Sequence, residues 1–194
     1  MILASGSLSN YLLAWAVAGV YLIPALLPRL GLGPVHLLAL LMHAVLLAAG
    51  LLDGTPRFGF APALSITVWL IGCGYAVETQ FYPRLQIRRV MGVLAAASVL
   101  LQLAFPGAPL PPTASVWLPL HLLLGIACYG LFGAAVVHAW LMGRAEARMR
   151  DVTEIDGGVP LLTLERLTFR FVGAGFVLLT ATLLAGLVFG ESLY

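Results

Sequence analysis

The sequence predicts an all-α fold, a polytopic bundle of transmembrane helices, from its composition and from the length of its apolar runs. Of the 194 residues, 61% are hydrophobic and only 9% are charged, whereas soluble domains are about 45–50% apolar and about 25% charged. Six apolar stretches are each long enough to cross a membrane, which takes about 20 residues. These stretches lack the alternating pattern of barrel strands, so helices are the expected way to satisfy the backbone in lipid.

The six spans follow from cutting the apolar stretches at charges, prolines and glycines, and they form one integral membrane domain, 1–194. The first span is expected to be retained rather than cleaved, because no positive segment precedes it and its apolar run continues through Trp15 to Leu27. The longest connection, 143–165, mixes arginine with acidic residues and is predicted to be a solvated cytoplasmic loop. The spans lie near 8–27, 34–52, 60–77, 87–104, 117–142 and 167–189.

The distribution of arginine predicts the orientation of the bundle. All ten basic residues are arginine, and among the connections only Arg57 lies in an even-numbered one. Because connections rich in arginine stay in the cytoplasm, both termini are predicted to be periplasmic. The fourth connection, 106–115, has four prolines and no charge, which favours an extended segment on the outer face.

Several classes of function are excluded by what the sequence lacks. The formal net charge of +2 is too small and too dispersed for a nucleic-acid surface. There is no P-loop, no H-E-x-x-H, no G-x-S-x-G and no pair of carboxylates within an apolar span, so hydrolytic and phosphoryl-transfer enzymes are not expected. There is also no C-x-x-C-H motif for covalent haem. Cys73 and Cys128 are read as small buried hydrophobic residues.

The first two histidines lie on one predicted helix, within a membrane span where ionisable side chains are costly and often functional. His36 and His43 are seven residues apart, which puts them on one helix face about 10 Å apart. His36 is interpreted as a residue at the membrane–water boundary. His43 lies near the middle of the membrane, where both a ligand role and a hydrogen bond to another helix are open, since neutral imidazole is a usual ligand of haem iron.

The other two histidines lie on the fifth span. His121 and His138 are 17 residues apart, or about 26 Å along a helix, too far for one cofactor to contact both. His121 lies near the outer end close to Trp117 and is a candidate ligand. His138 lies near the inner end and is interpreted as an interface residue. Trp69, deep in the third span, is either a packing residue or one wall of a haem pocket.

Three segments carry a resemblance to a known family. HLLLGIACYGLFGAAVVHAWLM, residues 121–142, resembles a helix of the cytochrome c assembly superfamily of haem-handling membrane proteins, which begins with a periplasm-facing histidine and has a tyrosine eight residues later, here Tyr129. LLTLERLTFRFVGAGFVLLTATLLAG, residues 161–186, resembles the next helix of that superfamily. The segment from His43 to Leu70, especially FGFAPALSITVWL at residues 58–70, is similar to its HemX-like inner-membrane branch.

The resemblance implies a bundle of eight helices that binds b-type haem without a covalent link. The bundle would present the haem at the outer face of the bacterial inner membrane. The resemblance also implies apocytochrome c or other maturation proteins as partners. His121 would be one iron ligand, and a second would come from a later outer loop; His43 matches a histidine in an early helix of the family. That later loop and two final helices are expected to be missing after Tyr194, so the chain is expected to be truncated at its C-terminus.

These observations lead to one expected function and two alternatives. The expected function is binding and delivery of haem, with His121 as an axial ligand and His43 as a second ligand or relay within the membrane. Trp117 and Trp69 are the expected walls of the haem pocket. The first alternative is a b-type subunit for electron transfer, which would keep its haem permanently. The second is a membrane scaffold or regulator without a cofactor.

Overall fold

Six helices and two very short strands make up the described part of the chain. The computed structural model describes residues 8–27, 33–52, 57–82, 87–110, 117–150 and 159–189. The prediction of an all-α architecture with six helices is confirmed. The helices are α1 (Leu8–Leu26), α2 (Gly33–Leu52), α3 (Phe60–Phe81), α4 (Arg88–Ala104), α5 (Trp117–Arg150) and α6 (Leu161–Phe189), and the strands are β1 (Arg57–Phe58) and β2 (Ala108–Pro109).

The helices have the length and surface of membrane-spanning segments. Among the described residues, α2, α3, α5 and α6 are long and apolar enough to cross a membrane, and α1 contains a shorter apolar stretch, Leu8–Pro24. Helix α4 has 17 residues, slightly fewer than the about 20 of a full crossing. Large apolar side chains such as Phe176 and Leu187 are exposed on α6, as expected for a helix that faces lipid. The architecture is therefore that of a helical membrane protein.

Helices α5 and α6 are longer than the spans predicted for them. Helix α5 continues past Met142 to Arg150, and α6 begins at Leu161, so the loop predicted over 143–165 is helical at both ends. Residues 151–158 of that loop lie outside the described residues. Hydropathy marks where a helix leaves lipid but not where it ends. The added part of α5 is rich in Ala, Glu, Arg and Met, which favour helix, and its last turn carries arginines that favour a helix C-terminus.

The chain divides into two compact units, each with its own helix packing. The first comprises Met1–Ala76 and Gln86–Pro111, and the second comprises Val77–Leu85 and Pro112–Tyr194. In the first unit α1 packs against both α2 and α4, and in the second α5 packs along α6. A Cβ at Gly92 of α4 would collide with the backbone carbonyl oxygen of Tyr21. Glycine at this position therefore allows α1 and α4 to approach closely.

Two strands of two residues each pair within the first unit. They join the connection between α2 and α3 to the connection that follows α4. Strands β1 and β2 are antiparallel, with Phe58 opposite Ala108, and the guanidinium of Arg57 donates a hydrogen bond to the carbonyl oxygen of Gly107 at 3.4 Å. Gly107 has φ +80°, and a Cβ there would lie 2.6 Å from the carbonyl oxygen of Phe58. The pairing places both connections at the same end of this unit.

Candidate functional site

Helices α2 and α3 are connected by three hydrogen bonds, which we call the α2–α3 polar bridges. The bonded positions run from 43 to 36 on α2 while they run from 65 to 72 on α3, so the two helices are antiparallel. One bridge joins two side chains, and the other two end on backbone carbonyl oxygens. They are His43 Nε2 with Ser65 Oγ at 2.9 Å, Trp69 Nε1 with the Leu40 carbonyl oxygen at 2.9 Å, and His36 Nε2 with the Gly72 carbonyl oxygen at 3.5 Å.

His43 is the centre of a polar cluster formed by three helices. Its side chain is fully buried, its Nδ1 lies 3.1 Å from the hydroxyl of Tyr21 on α1, and its Nε2 lies 2.9 Å from the hydroxyl of Ser65 on α3. A hydroxyl can donate or accept, so a neutral imidazole satisfies both contacts. The hydrogen bond between helices, one of the two interpretations of His43, is therefore observed. To bind iron, His43 would have to release Tyr21 or Ser65.

His36 lies on the same face of α2 as His43, as their spacing predicts, since both rings contact Tyr21. Ring centroids are 6.5 Å apart for His36 and Tyr21 and 5.5 Å apart for His36 and Tyr75, both with edge-to-face geometry. The side chain is 6% exposed. His36 is thus buried between two tyrosine rings within the first unit, whereas the sequence pattern favoured a position in contact with water.

The two tryptophans predicted as pocket walls lie in different units. Trp69 packs against the apolar core of the first unit and donates its indole N–H to Leu40, so the packing interpretation accounts for its depth. Trp117 is the first residue of α5 in the second unit and is partly exposed. Trp117 and His121 are four residues apart and lie on the same side of α5. The structure therefore places Trp69 in the same unit as His43 and Trp117 in the same unit as His121.

His121 differs from the other three histidines because a buried nitrogen of its ring has no polar contact in the described part of the chain, whereas Nε2 of His138, also without a hydrogen bond, faces Glu78. Nδ1 of His121 is buried and has no hydrogen-bond partner within the described parts of the chain. The ring lies against α6 at Gly186, where a Cβ would be 3.4 Å from Cε1 and 3.9 Å from Nδ1. A buried polar atom without a partner costs about 1–3 kcal/mol. Its presence at the end of α5 indicates a site where a bound group would supply the missing interaction.

The residues around His121 fit a haem better than a bare metal ion. Across the described residues no three His, Cys, Asp or Glu side chains come together as a metal site. Haem brings four nitrogen ligands of its own and needs only one or two axial side chains. The imidazole of His121 is such a side chain, and the missing side chain of Gly186 gives this ring room against α6. By the same criterion, His43 does not fit in the conformation observed, because protein hydroxyls occupy both of its nitrogens.

An acidic partner of His138 was missed by the sequence analysis. Glu78, in the last turn of α3 within the second unit, places its Oε2 3.1 Å from Nε2 of His138. A carboxylate paired with an imidazole from a distant helix has no local spacing in the sequence that would reveal the pair. The signal available in the sequence is a single glutamate directly after the predicted span 60–77, where the apolar run of α3 ends.

Comparison with known proteins identifies one related family. Residues 32–194 match the family model described as Cytochrome C assembly protein. The match covers five of the six helices and all four histidines, and it confirms the resemblance found in the sequence. No curated protein and no solved structure matches the chain.

Proposed function

The chain belongs to the cytochrome c assembly protein family, whose model matches residues 32–194, and we propose that it binds haem and delivers it during cytochrome c maturation. Family membership and the long apolar helices make it a multi-pass membrane protein. We further propose the bacterial inner membrane as its location, with both termini in the periplasm. The partners in this proposal are haem and apocytochrome c or another maturation protein of the membrane.

The unpartnered ring of His121 is the observation that carries this proposal. A buried imidazole nitrogen with no hydrogen-bond partner among the described residues is the arrangement expected of a residue that binds a metal or another ligand. When bound, haem supplies an iron that accepts axial imidazole. His121 would hold the iron and Trp117 would line the site one turn away, while Gly186 gives the imidazole of His121 room against α6. The function is binding and delivery, so we propose that the protein is not an enzyme.

Absorbance of the purified full chain from cells supplied with haem tests the proposal. Wild-type protein should show a Soret band. His121→Ala should lower haem affinity by more than about tenfold, since even the partners of metal ligands change affinity by about 10–100-fold. His138→Ala is the matched control, because it removes a histidine from the same helix whose ring is engaged with Glu78 and Ala134. Helicity and elution volume should be compared so that only folded protein is counted.

Three outcomes would overturn the proposal, and each would favour a different ligand residue or a different function. Equal loss of haem in His121→Ala and His138→Ala, or loss only in the second, would remove His121 from the site. Wild-type protein without a Soret band would favour the scaffold or regulator. Haem that stays bound through repeated reduction and oxidation, and that apocytochrome c does not remove, would favour the electron-transfer subunit.

A further inference from the structure

The contact between Glu78 and His138 has a geometry that determines which ring nitrogen carries a proton. Nδ1 of His138 lies 2.8 Å from the carbonyl oxygen of Ala134, one turn earlier on α5. A carbonyl oxygen can only accept, so Nδ1 carries a hydrogen and donates it. Nε2, the other nitrogen, is buried and lies 3.1 Å from Oε2 of Glu78, an ion-pair distance without the angles of a hydrogen bond.

A neutral imidazole beside an ionised carboxylate cannot account for this contact. With the hydrogen on Nδ1, a neutral ring would point the lone pair of Nε2 at a negatively charged oxygen. The contact becomes attractive when one further proton is present, either on Nε2 as an imidazolium or on Glu78 as a carboxylic acid that donates to Nε2. In both cases the pair has no net charge, and the two forms share the same proton.

The surroundings of the pair make an unbalanced charge costly. The His138 side chain is 2% exposed and that of Glu78 is 13% exposed. From α6 the ring of Phe171 covers the imidazole, with centroids 5.1 Å apart. The neighbouring Arg170 is exposed. On α5 the guanidinium of Arg144 lies over the ring of Trp140 at 4.8 Å.

Among the described residues, Glu78 is the charged group that contacts His138. The second carboxylate oxygen of Glu78, Oε1, is buried and has no hydrogen-bond partner among these residues. Loss of the shared proton would leave a mostly buried carboxylate beside a neutral ring, with no ion pair to a cation among the described residues. Breaking a buried pair in this way is strongly unfavourable.

We propose that Glu78 and His138 form a proton-binding site that retains one proton at neutral pH and thereby holds the last turn of α3 against α5. As separate groups in water, glutamate would be ionised and histidine mostly neutral at that pH. The ligand of this site is a proton, and neither its binding nor its test depends on haem.

Nuclear magnetic resonance of the full chain in lipid nanodiscs counts the proton directly. The chain carries ¹⁵N-labelled histidine, which reports ring protonation, and glutamate with ¹³C at the carboxyl carbon, which reports carboxyl protonation. Signals of the two residues are assigned by their loss in Glu78→Gln and His138→Gln. At neutral pH we expect an imidazolium with an ionised carboxylate, or a neutral ring that accepts a hydrogen bond from a protonated carboxyl. An ionised Glu78 beside a neutral His138 would overturn the proposal.

Thermal unfolding of designed variants tests whether the proton holds the two helices together. In Glu78→Gln the amide N–H can donate to Nε2 of a neutral His138, so Tm should stay near the wild-type value without an added proton. Glu78→Ala leaves Nε2 without a partner and should lower Tm by about 5 °C or more. Glu165→Gln, which changes an exposed carboxylate on α6, is the matched control and should leave Tm unchanged.

The pH dependence supplies the final comparison. Because the folded pair holds a proton that the unfolded chain releases at neutral pH, wild-type Tm should fall relative to that of Glu78→Gln as the pH rises. Equal Tm values for Glu78→Ala, Glu78→Gln and wild type would overturn the proposed link between α3 and α5. A constant difference between wild type and Glu78→Gln across the pH range would overturn proton binding.

Discussion

His43 and Ser65 are joined side chain to side chain across α2 and α3, with Nε2 and Oγ 2.9 Å apart and both residues fully buried. Between helices in lipid, apolar contacts give little preference for one register over another, whereas each buried polar group needs its partner. A shift of α3 by one residue along α2 would separate this pair and the hydrogen bond from Trp69 to Leu40 together. The α2–α3 polar bridges therefore specify the register of these helices.

Ser65→Ala should reduce the free energy of unfolding by about 1–2 kcal/mol. The substitution leaves Nε2 of His43 buried without a partner, which costs about 1–3 kcal/mol in water-soluble proteins, and hydrogen bonds between membrane helices average about 0.6 kcal/mol. Unfolding in mixed micelles with increasing denaturing detergent measures the change. Thr180→Ala is the control, because that exposed hydroxyl binds a carbonyl of its own helix. An equal loss in both variants would contradict the assigned role of the bridge.

Gly107→Ala should destabilise the strand pair of β1 and β2. Its φ of +80° costs a residue with a side chain about 1–2 kcal/mol, and the new Cβ would meet the carbonyl oxygen of Phe58. We expect a lower free energy of unfolding and faster amide hydrogen exchange at Phe58. Gly19→Ala tests the same change in α1, where a Cβ would meet nothing within 4 Å. That control should be neutral or stabilising by up to about 1 kcal/mol, and a similar loss in both variants would refute the argument.

The helices could be predicted from sequence because lipid imposes a local rule. Every membrane crossing has to satisfy its own backbone hydrogen bonds, so a long apolar run is sufficient to identify a helix. The ends of α5 and α6 were predicted less well, since residues 143–150 are polar yet favour helix. The pairing of β1 with β2 could not be predicted at all. It depends on contacts between segments about 50 residues apart, and no local pattern encodes such contacts.

The candidate site shows the same division between local and distant information. The shared face of His36 and His43 follows from helical periodicity alone. The partners of these histidines do not, because Tyr21, Ser65 and Tyr75 come from other helices and are ordinary residues of apolar spans. His138 was interpreted as an interface residue for the same reason, since its partner Glu78 lies far away along the chain.

Added imidazole should change the absorbance spectrum of the haem-loaded chain. In the described part of the chain His121 has a buried ring nitrogen without any polar contact, while both nitrogens of His43 are hydrogen-bonded and His138 faces Glu78. One axial position of the iron should therefore remain open, and imidazole should convert the spectrum to a six-coordinate low-spin form. His43→Gln should behave like wild type in this titration. If wild type is already six-coordinate and becomes sensitive to imidazole only in His43→Gln, then His43 is the second ligand and releases Tyr21 or Ser65 to bind iron.

The predicted orientation can be tested at two exposed sites, one in each unit. The guanidinium of Arg144 lies over the ring of Trp140, a pairing suited to the membrane–water boundary. Residues beyond it on α5, including the exposed Met149, should therefore project into the cytoplasm. Ala108 of β2 is also exposed and belongs to a connection predicted to be periplasmic.

Cysteine at either position gives opposite labelling patterns for the two orientations. In a chain with Cys73→Ala and Cys128→Ala, Ala108→Cys should react with a membrane-impermeant maleimide in right-side-out vesicles, and Met149→Cys should react only in inverted vesicles. The parent chain without cysteine reports background labelling, and dissolving the vesicles in detergent should expose both positions. Because arginine biases orientation through loops close to the helix ends, the reversed pattern would mean that the excess of arginine in the odd-numbered connections does not orient this protein, and it would place the His121 end of α5 in the cytoplasm.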